Sequence, residues 1–440
     1  MHNGKQDVEN RVKKTRKQKT KKITNSKPTF KSTDYQQRKI QNNRLNKIKN
    51  NHYPHYPQPL YIKTYYMKFT CLRENLVQGL QAVMHVSGKN ITLPILNNVL
   101  IRATEGLVEF TSTNLEIAIV SEIRAKVDVP GSFTVPARTF ADYVQLLTGE
   151  QTALEVTEKG ELLIDNEKSK TKIKGEGADE FPIVPGTEGG ATFKFNTAVL
   201  REALAHVVFA VSRSEVRPEL SGVLFHVNGE QNKGVLFLAA TDSYRLSEKK
   251  VAVQNEEKER EVRIIVPART VQEMIRVLLG VQEEITEIVV SEGQISMAVP
   301  GVKIISRLIE GRYPDYRQII PSNFSGEALL DTIELTQQVR AAGLFSTSGV
   351  NAVSLGFAPD DGAVTLASAS AQLGEFSSAV SGGVTGGENT VLLNHRYVLD
   401  GLQHMDTGKV RIQVVKGDAP CVFSPDGKSD FLYIVMPIKQ

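Results

Sequence analysis

Val135-Pro136-Ala137-Arg138-Thr139 recurs 131 positions later as Val266-Pro267-Ala268-Arg269-Thr270. Each copy follows an apolar, strand-like stretch and opens an amphipathic run. That run is Phe140/Tyr143/Val144/Leu147 in the first copy and Val271/Met274/Ile275/Leu278 in the second, so each copy predicts a strand turning into a helix. A third, degenerate copy, Leu393-Asn394-His395-Arg396-Tyr397, sets its arginine a further 127 positions on and precedes Val398, Leu402 and Met405. Near-equal spacing marks a repeated structural unit.

A second helix keeps the same phase. Its apolar stripe reads Leu76, Leu80, Val83 and Met84 in the first unit and Leu200, Leu204, Val207, Val208 and Val211 in the second. In the third it reads Leu335, Val339 and Ala342, opened by Asp331-x-x-Glu334, which resembles a capping box. Between the helices lie β-branched runs such as Gly222–Val227, Ile285–Val290 and Val410–Val415, separated by turn signals including Pro359-Asp360-Asp361-Gly362 and Pro425-Asp426-Gly427. Two helices among antiparallel strands make an α+β pattern, not βαβ winding. Boundaries are expected near Pro185–Gly190 and Pro321–Gly326, giving domains at 67–187, 191–322 and 326–440, a comfortable size of about 125 residues each.

The formal net charge of +4 conceals a division. Residues 1–66 hold 17 of the 53 Lys/Arg and three of the 49 Asp/Glu, so the rest of the chain carries a net −10. This polar, unpatterned segment, with Lys13-Lys14-Thr15-Arg16-Lys17, cannot bury a core and is expected to be a disordered basic extension. It reads either as an arm touching nucleic acid or as sequence upstream of a start at Met67, where patterning begins. Two cysteines, Cys71 and Cys421, offer neither a disulfide framework nor a zinc site, which fits a reducing cytoplasm. No apolar run reaches the roughly 18 residues that span a bilayer.

Catalytic signatures are missing: there is no phosphate loop ending in Gly-Lys-Ser/Thr, no Gly-x-Ser-x-Gly elbow and no His-Glu-x-x-His. The run Ser381-Gly382-Gly383-Val384-Thr385-Gly386-Gly387 lacks the lysine and is read as a plain loop, and Thr241-Asp242-Ser243 as a strand-end turn. The eight histidines show no ligand spacing, so no metal, cofactor or enzymatic activity is expected.

Five motifs stand in one order: the Val-Pro-Ala-Arg repeat, Thr92-Leu93-Pro94-Ile95-Leu96, Ala240-Thr241-Asp242-Ser243-Tyr244-Arg245-Leu246, Tyr313-Pro314-Asp315-Tyr316-Arg317 and Tyr433-Ile434-Val435-Met436-Pro437-Ile438. Together they resemble the bacterial sliding clamp, the β subunit of the replicative DNA polymerase, over residues 67–440. The resemblance implies a head-to-tail homodimer of three-domain chains, a ring closed around duplex DNA without sequence specificity. It also implies a cleft taking a short linear peptide from polymerase, clamp loader and repair proteins. The residues it places around that cleft are Leu220, Thr241, Tyr244, Arg245, Leu246, Pro314, Ile319, Asn394, Tyr397, Val435, Met436, Pro437 and Ile438. It implies a dimer contact through Ile173, Leu344 and Phe345. Basic residues at or near the helices, Arg73, Lys89, Arg201, Arg213, Arg217, Arg276 and Arg340, are candidates to face DNA. The chain departs from its relatives at Ser214, Pro218 and Glu219, in a loop where others carry aromatic or amide groups, and at Tyr244, where histidine is common. A chromosome-binding or scaffold protein acting through the basic extension is the alternative reading.

Overall fold

The computed structural model describes residues 66–88, 92–187, 189–214, 216–229, 233–254 and 261–439. Residues 1–65, and with them nearly all of the expected basic extension, lie outside the described residues, as does Lys89. One order of elements is traversed three times: strand, helix, three strands, strand, helix, three strands, with two short extra strands in the first pass. The helices are α1 Arg73–Val83, α2 Ala137–Gln145, α3 Thr197–Val208, α4 Ala268–Leu278, α5 Thr332–Leu344 and α6 His395–Leu402. Pro136 and Pro267 end their strands with φ of −54° and −53° and stand as the N-caps of α2 and α4, so the fixed proline φ turns strand into helix. At α3, α5 and α6 the caps are side chains: Asn196, Asp331 and Asn394 accept from the backbone N–H of Val199, Glu334 and Arg396.

The strands form three antiparallel sheets of five, nine and twelve strands. Two of these sheets cross from one pass to the next. Ile117–Arg124 of the first pass pairs with Val302–Arg307 of the second, from Ile117 opposite Ser306 to Ser121 opposite Val302. Arg245–Ala252 of the second pairs with Phe431–Val435 of the third, from Arg245 opposite Val435 to Lys249 opposite Phe431. Helix pairs pack on the sheets, and α1 touches strands of both the five- and nine-stranded sheets. The apolar cores follow: one continuous cluster fills the first two passes, a second fills the third, and a smaller one lies at the second junction. Each fully buried aliphatic or aromatic side chain contributes on the order of 1.5–3 kcal/mol.

Two sequence expectations are corrected. The glycine-rich run is not a loop: it is the second half of the strand Gly374–Gly386, which pairs with Ala363–Ser370 and then crosses to Gly326–Asp331. Glycine is needed at the crossing because a Cβ on Gly382 would sit 2.4 Å from the Leu329 carbonyl oxygen. Ile173 lies on the expected strand, Ser169–Lys174, but its side chain faces the chain's own core at 8% exposure. The alternation of that strand points Ile173 inward and its lysines outward.

Among the open sheet edges, two hold repeat positions that are paired at the junctions within the chain. Among the described residues, Ser169–Lys174 pairs only with Glu161–Asn166, and the first half of Gly374–Gly386 pairs only with Ala363–Ser370. In the repeat they hold the positions that Val302–Arg307 and Ile117–Arg124 hold at the first junction.

Charge is buried at the second junction. Lys249 is only 2% exposed, with Asp430 at 3.0 Å and Glu202 at 3.5 Å. Nearby, His404 packs against Phe209 with ring centroids 4.2 Å apart and planes tilted by 33°, and burial, aided by the neighbouring His206, lowers its pKa from 6.5 to about 4. A depressed histidine supports the fold above its unfolded pKa, and that support is lost as pH falls through the folded value. We therefore expect a contribution on the order of 3 kcal/mol, intact above about pH 6.5 and lost towards pH 4. In urea titrations across this range, His404→Gln should show a shallower loss of stability than the parent chain; identical slopes would contradict the assignment.

Candidate functional site

The most elaborate surface of the molecule lies where Arg245–Ala252 meets Phe431–Val435. The preceding turn is set by its own side chains. Thr241 Oγ1 donates to the Arg245 carbonyl at 2.6 Å, and the Asp242 carboxylate accepts from the backbone N–H of Tyr244 and Arg245 at 2.9 and 3.0 Å. Ser243 is held at φ +78°, a left-handed conformation that costs a non-glycine residue energy and persists only because these bonds fix it. The result is Tyr244 standing 64% exposed beside the chain's last strand, its carbonyl accepting from Met436 N–H at 2.9 Å.

Arg245 ties the site together. Its side chain is 11% exposed and donates to Asp242 at 3.0 Å, to Asp400 on α6, and to the Phe209 carbonyl at 2.8 Å. The guanidinium lies 4.8 Å from the centroid of Tyr397 and 5.5 Å from that of Phe209. Burial opposes its charge, but Tyr433, Asp400 and Asp242 outweigh it and hold the group above its ordinary pKa. Removing one partner of such an enclosed pair costs on the order of 3–5 kcal/mol. Beneath, Tyr433 donates to the Tyr397 carbonyl at 2.8 Å, and it fits there because α6 carries glycine: a Cβ on Gly401 would meet the Tyr433 ring at 2.3 Å.

The floor is apolar. Leu220, Leu246 and Ile434 are buried together with Tyr313 and Tyr316, and Met436 packs half-buried against them. Tyr316 donates to Glu248 at 2.6 Å, and burial, then the Glu248 charge, pushes its pKa up. Val435 is buried in its strand, while Met436, Pro437 and Ile438 run on half-buried, with Ile438 N–H donating to the Leu392 carbonyl at 2.8 Å. Asn394 caps α6, Pro314 is half-buried, and Ile319 is 38% exposed on the turn Tyr316–Ile319, outside the apolar cluster that its neighbour Ile320 joins. Sequence reasoning missed Asp400, Phe209 and Glu248. Asp400 alone had a signal, since it stands three residues after Tyr397 on the same helix face.

The expected basic residues differ in exposure and in partners. Arg213 and Arg340 are exposed, and Arg73 and Arg201 half-exposed. Arg217 pairs with Glu219 at 3.0 Å. Arg276 pairs with Glu273 at 2.7 Å and donates to the Ala82 carbonyl at 2.6 Å, so its guanidinium is spent joining α4 to the end of α1. Leu344 is 72% exposed at the end of α5, and Phe345 stacks on Phe376 at 6.0 Å. One group has metal-binding composition: ligand atoms of Glu202, His206 and Asp406 lie within 4.8 Å of one another. Both His206 ring nitrogens, however, lie against carbonyl oxygens, of Glu202 at 2.7 Å and His404 at 2.9 Å, so the ring is already engaged within the fold.

Comparison with known proteins matches three family models in tandem. They are the N-terminal domain of the DNA polymerase III beta subunit at residues 67–185, its central domain at 194–315 and its C-terminal domain at 317–439. The beta sliding clamps of Staphylococcus aureus and Bacillus subtilis are 29% and 28% identical over 382 residues, covering 85% of this chain and 99% and 100% of theirs. The crystal structure of the Bacillus subtilis clamp superposes with a TM-score of 0.81 at 28% identity, covering 85% of this chain and all of that one. A Pseudomonas aeruginosa clamp bound to griselimycin superposes with a TM-score of 0.79 at 26% identity, with the same coverage. Three domain models in sequence, full-length relatives and a shared α+β clamp fold place this chain in the DNA polymerase III beta subunit family, the DNA sliding clamps of bacterial replication.

Proposed function

We propose that two copies of this chain close head to tail into a ring around duplex DNA and tether the replicative polymerase to it. The observation that carries this reading is the pair of unmatched strand edges. Each junction within the chain joins the last strand of one pass to the fourth strand of the pass before, and the only such partners left over among the described residues are Ser169–Lys174 and the first half of Gly374–Gly386. Pairing these edges between two chains extends the same rule twice and closes the assembly, as a heterologous contact with the right rotation does. Exposed edges otherwise invite aggregation, so their pairing also protects the chain. Exposed Leu344 and half-buried Phe345 lie at the same end of the third pass and supply apolar contact, with Ile173 bracing the opposing strand from beneath. The clamp domains on this reading run 67–187, 191–322 and 326–440, in a cytoplasmic protein that performs no chemistry itself.

Retention on DNA then depends on topology. The body outside residues 1–66 carries −10 and repels phosphate broadly, while Arg73, Arg201, Arg213 and Arg340, with Lys89 and Arg217, supply limited, salt-sensitive and sequence-blind attraction. The cleft around Tyr244, Arg245 and Met436 receives a short peptide from polymerase, clamp loader or repair proteins. An apolar floor, an adaptable methionine and a few fixed polar groups suit a backbone that must be oriented and released. Two or three anchors at roughly 1.5–3 kcal/mol each, less ordering costs, give affinity near the micromolar range.

Leu344→Lys should leave the fold intact, because the side chain is 72% exposed, and should convert the dimer to a monomer at low micromolar concentration in light-scattering sizing. A variant that stays dimeric would move the contact elsewhere. Deleting residues 436–440 removes the Met436 and Ile438 backbone bonds, a cost of about 1 kcal/mol each, and should abolish polymerase-peptide binding in calorimetry while the dimer persists. Undiminished binding would assign this segment to architecture alone.

A further inference from the structure

The two junctions within the chain are built alike, and one is left unfilled. The turn Thr113–Ala118 repeats Thr241–Leu246 bond for bond. Thr113 Oγ1 donates to the Ile117 carbonyl at 3.0 Å, Asn114 accepts from the N–H of Glu116 and Ile117 at 3.0 and 2.9 Å, and Leu115 is held at φ +76°. Arg307 N–H donates to the Glu116 carbonyl at 2.8 Å, where Met436 N–H donates to Tyr244 at 2.9 Å. Strand register therefore aligns the outward-facing row Leu100, Thr111, Val120, Lys303 with the row Leu224, Ala239, Glu248, Leu432 of the second junction.

What covers the two rows differs. Each linker begins with a buried aromatic before proline, Phe181-Pro182 and Tyr313-Pro314. Three residues after that aromatic, the second linker has Tyr316, whose ring is buried and whose hydroxyl reaches Glu248 at 2.6 Å. The first linker has Val184 at that position. A valine cannot reach across the row, and a hollow of about 710 Å³ remains, lined by Leu100, Thr111, Val120, Val184 and Lys303 among others. Ile183 lies at its lip, 93% exposed. Of the other charged residues that line it, Arg102 is matched by Glu109 at 3.1 Å, and Glu122 and Asp179 are exposed. Half-buried Lys303 has no carboxylate within ion-pair distance among the described residues. The hollow is within the size range of small-ligand and peptide-anchor sites.

We propose that this hollow is a second peptide site, distinct from the cleft at the second junction, and that it takes in trans what Tyr316 supplies in cis. Its occupant is an extended segment of another protein that lays an aromatic side chain over Leu100 and Val120 and presents an adjacent carboxylate to Lys303. The aromatic supplies the apolar area that Val184 leaves uncovered, and the carboxylate supplies the partner that Lys303 lacks. This assignment does not depend on peptide binding at the Tyr244 cleft.

The test uses the full chain with isoleucine, valine and methionine methyl groups labelled, titrated with the peptides acetyl-Gly-Tyr-Asp-Gly-amide, acetyl-Gly-Ala-Asp-Gly-amide and acetyl-Gly-Tyr-Lys-Gly-amide and followed by NMR. The Tyr-Asp peptide should shift the Ile183, Val184 and Val120 methyls saturably, and the other two should bind about tenfold or more weakly. Val184→Tyr, which rebuilds the internal filler, should abolish those shifts, and Lys303→Glu should reverse the preference between the Tyr-Asp and Tyr-Lys peptides. Thermal unfolding of both variants verifies that they fold, and Lys303→Glu alone still decides the matter if Val184→Tyr does not. No saturable shift at millimolar peptide, shifts confined to the Met436 methyl, or an unchanged preference in Lys303→Glu would overturn the proposal.

Discussion

Backbone groups on a strand edge must be hydrogen-bonded, and this requirement organises the whole chain. In the second and third passes the outer edge of the last strand is closed by the fourth strand of the preceding pass. Ile117–Arg124 with Val302–Arg307, and Arg245–Ala252 with Phe431–Val435, are the two closures made within one chain. A chain with a whole number of passes always has one open edge of each kind at its ends. The head-to-tail pairing proposed above would use one open edge of each kind from each copy.

The junctions are also where the two proposed clefts lie. Because sheets are continuous across them, side chains from two passes are held at fixed spacing: Arg245 from the second is clamped by Asp400 from the third, and Met436 is bonded to Tyr244. Disrupting the strand pairing would therefore take the cleft apart, so architecture and recognition share the same bonds. The first junction repeats the plan with a different filling, valine for tyrosine over the row and lysine for leucine within it. Duplication thus provides a scaffold on which the two clefts can diverge by side-chain exchange alone.

Much of this was legible in the sequence. The Val-Pro-Ala-Arg motif announced strand-to-helix turns because proline fixes φ, and the apolar spacing of Leu200, Leu204 and Val207 announced a helix because the period is 3.6. What stayed hidden depends on contacts distant in sequence. The glycine-rich run looked like a loop, since nothing local reveals that Gly382 must pass close to the Leu329 carbonyl. Ile173 was assigned to a surface because strand phase, inward or outward, is set by the partner strand rather than by composition. Asp400 and Phe209 take part only because folding brings them to Arg245, and Arg276 was counted as free because the Ala82 carbonyl that takes it lies far earlier in the chain.

A body of net charge −10 outside residues 1–66, with no base-reading motif in its sequence, points to a protein kept on DNA by being closed around it rather than by adhesion. Clamp loaded onto nicked circular duplex measures this directly. The account predicts complexes that persist on the circle through a salt wash and are lost within the mixing time once the circle is linearised. Equal lifetimes on circular and linear DNA would contradict it.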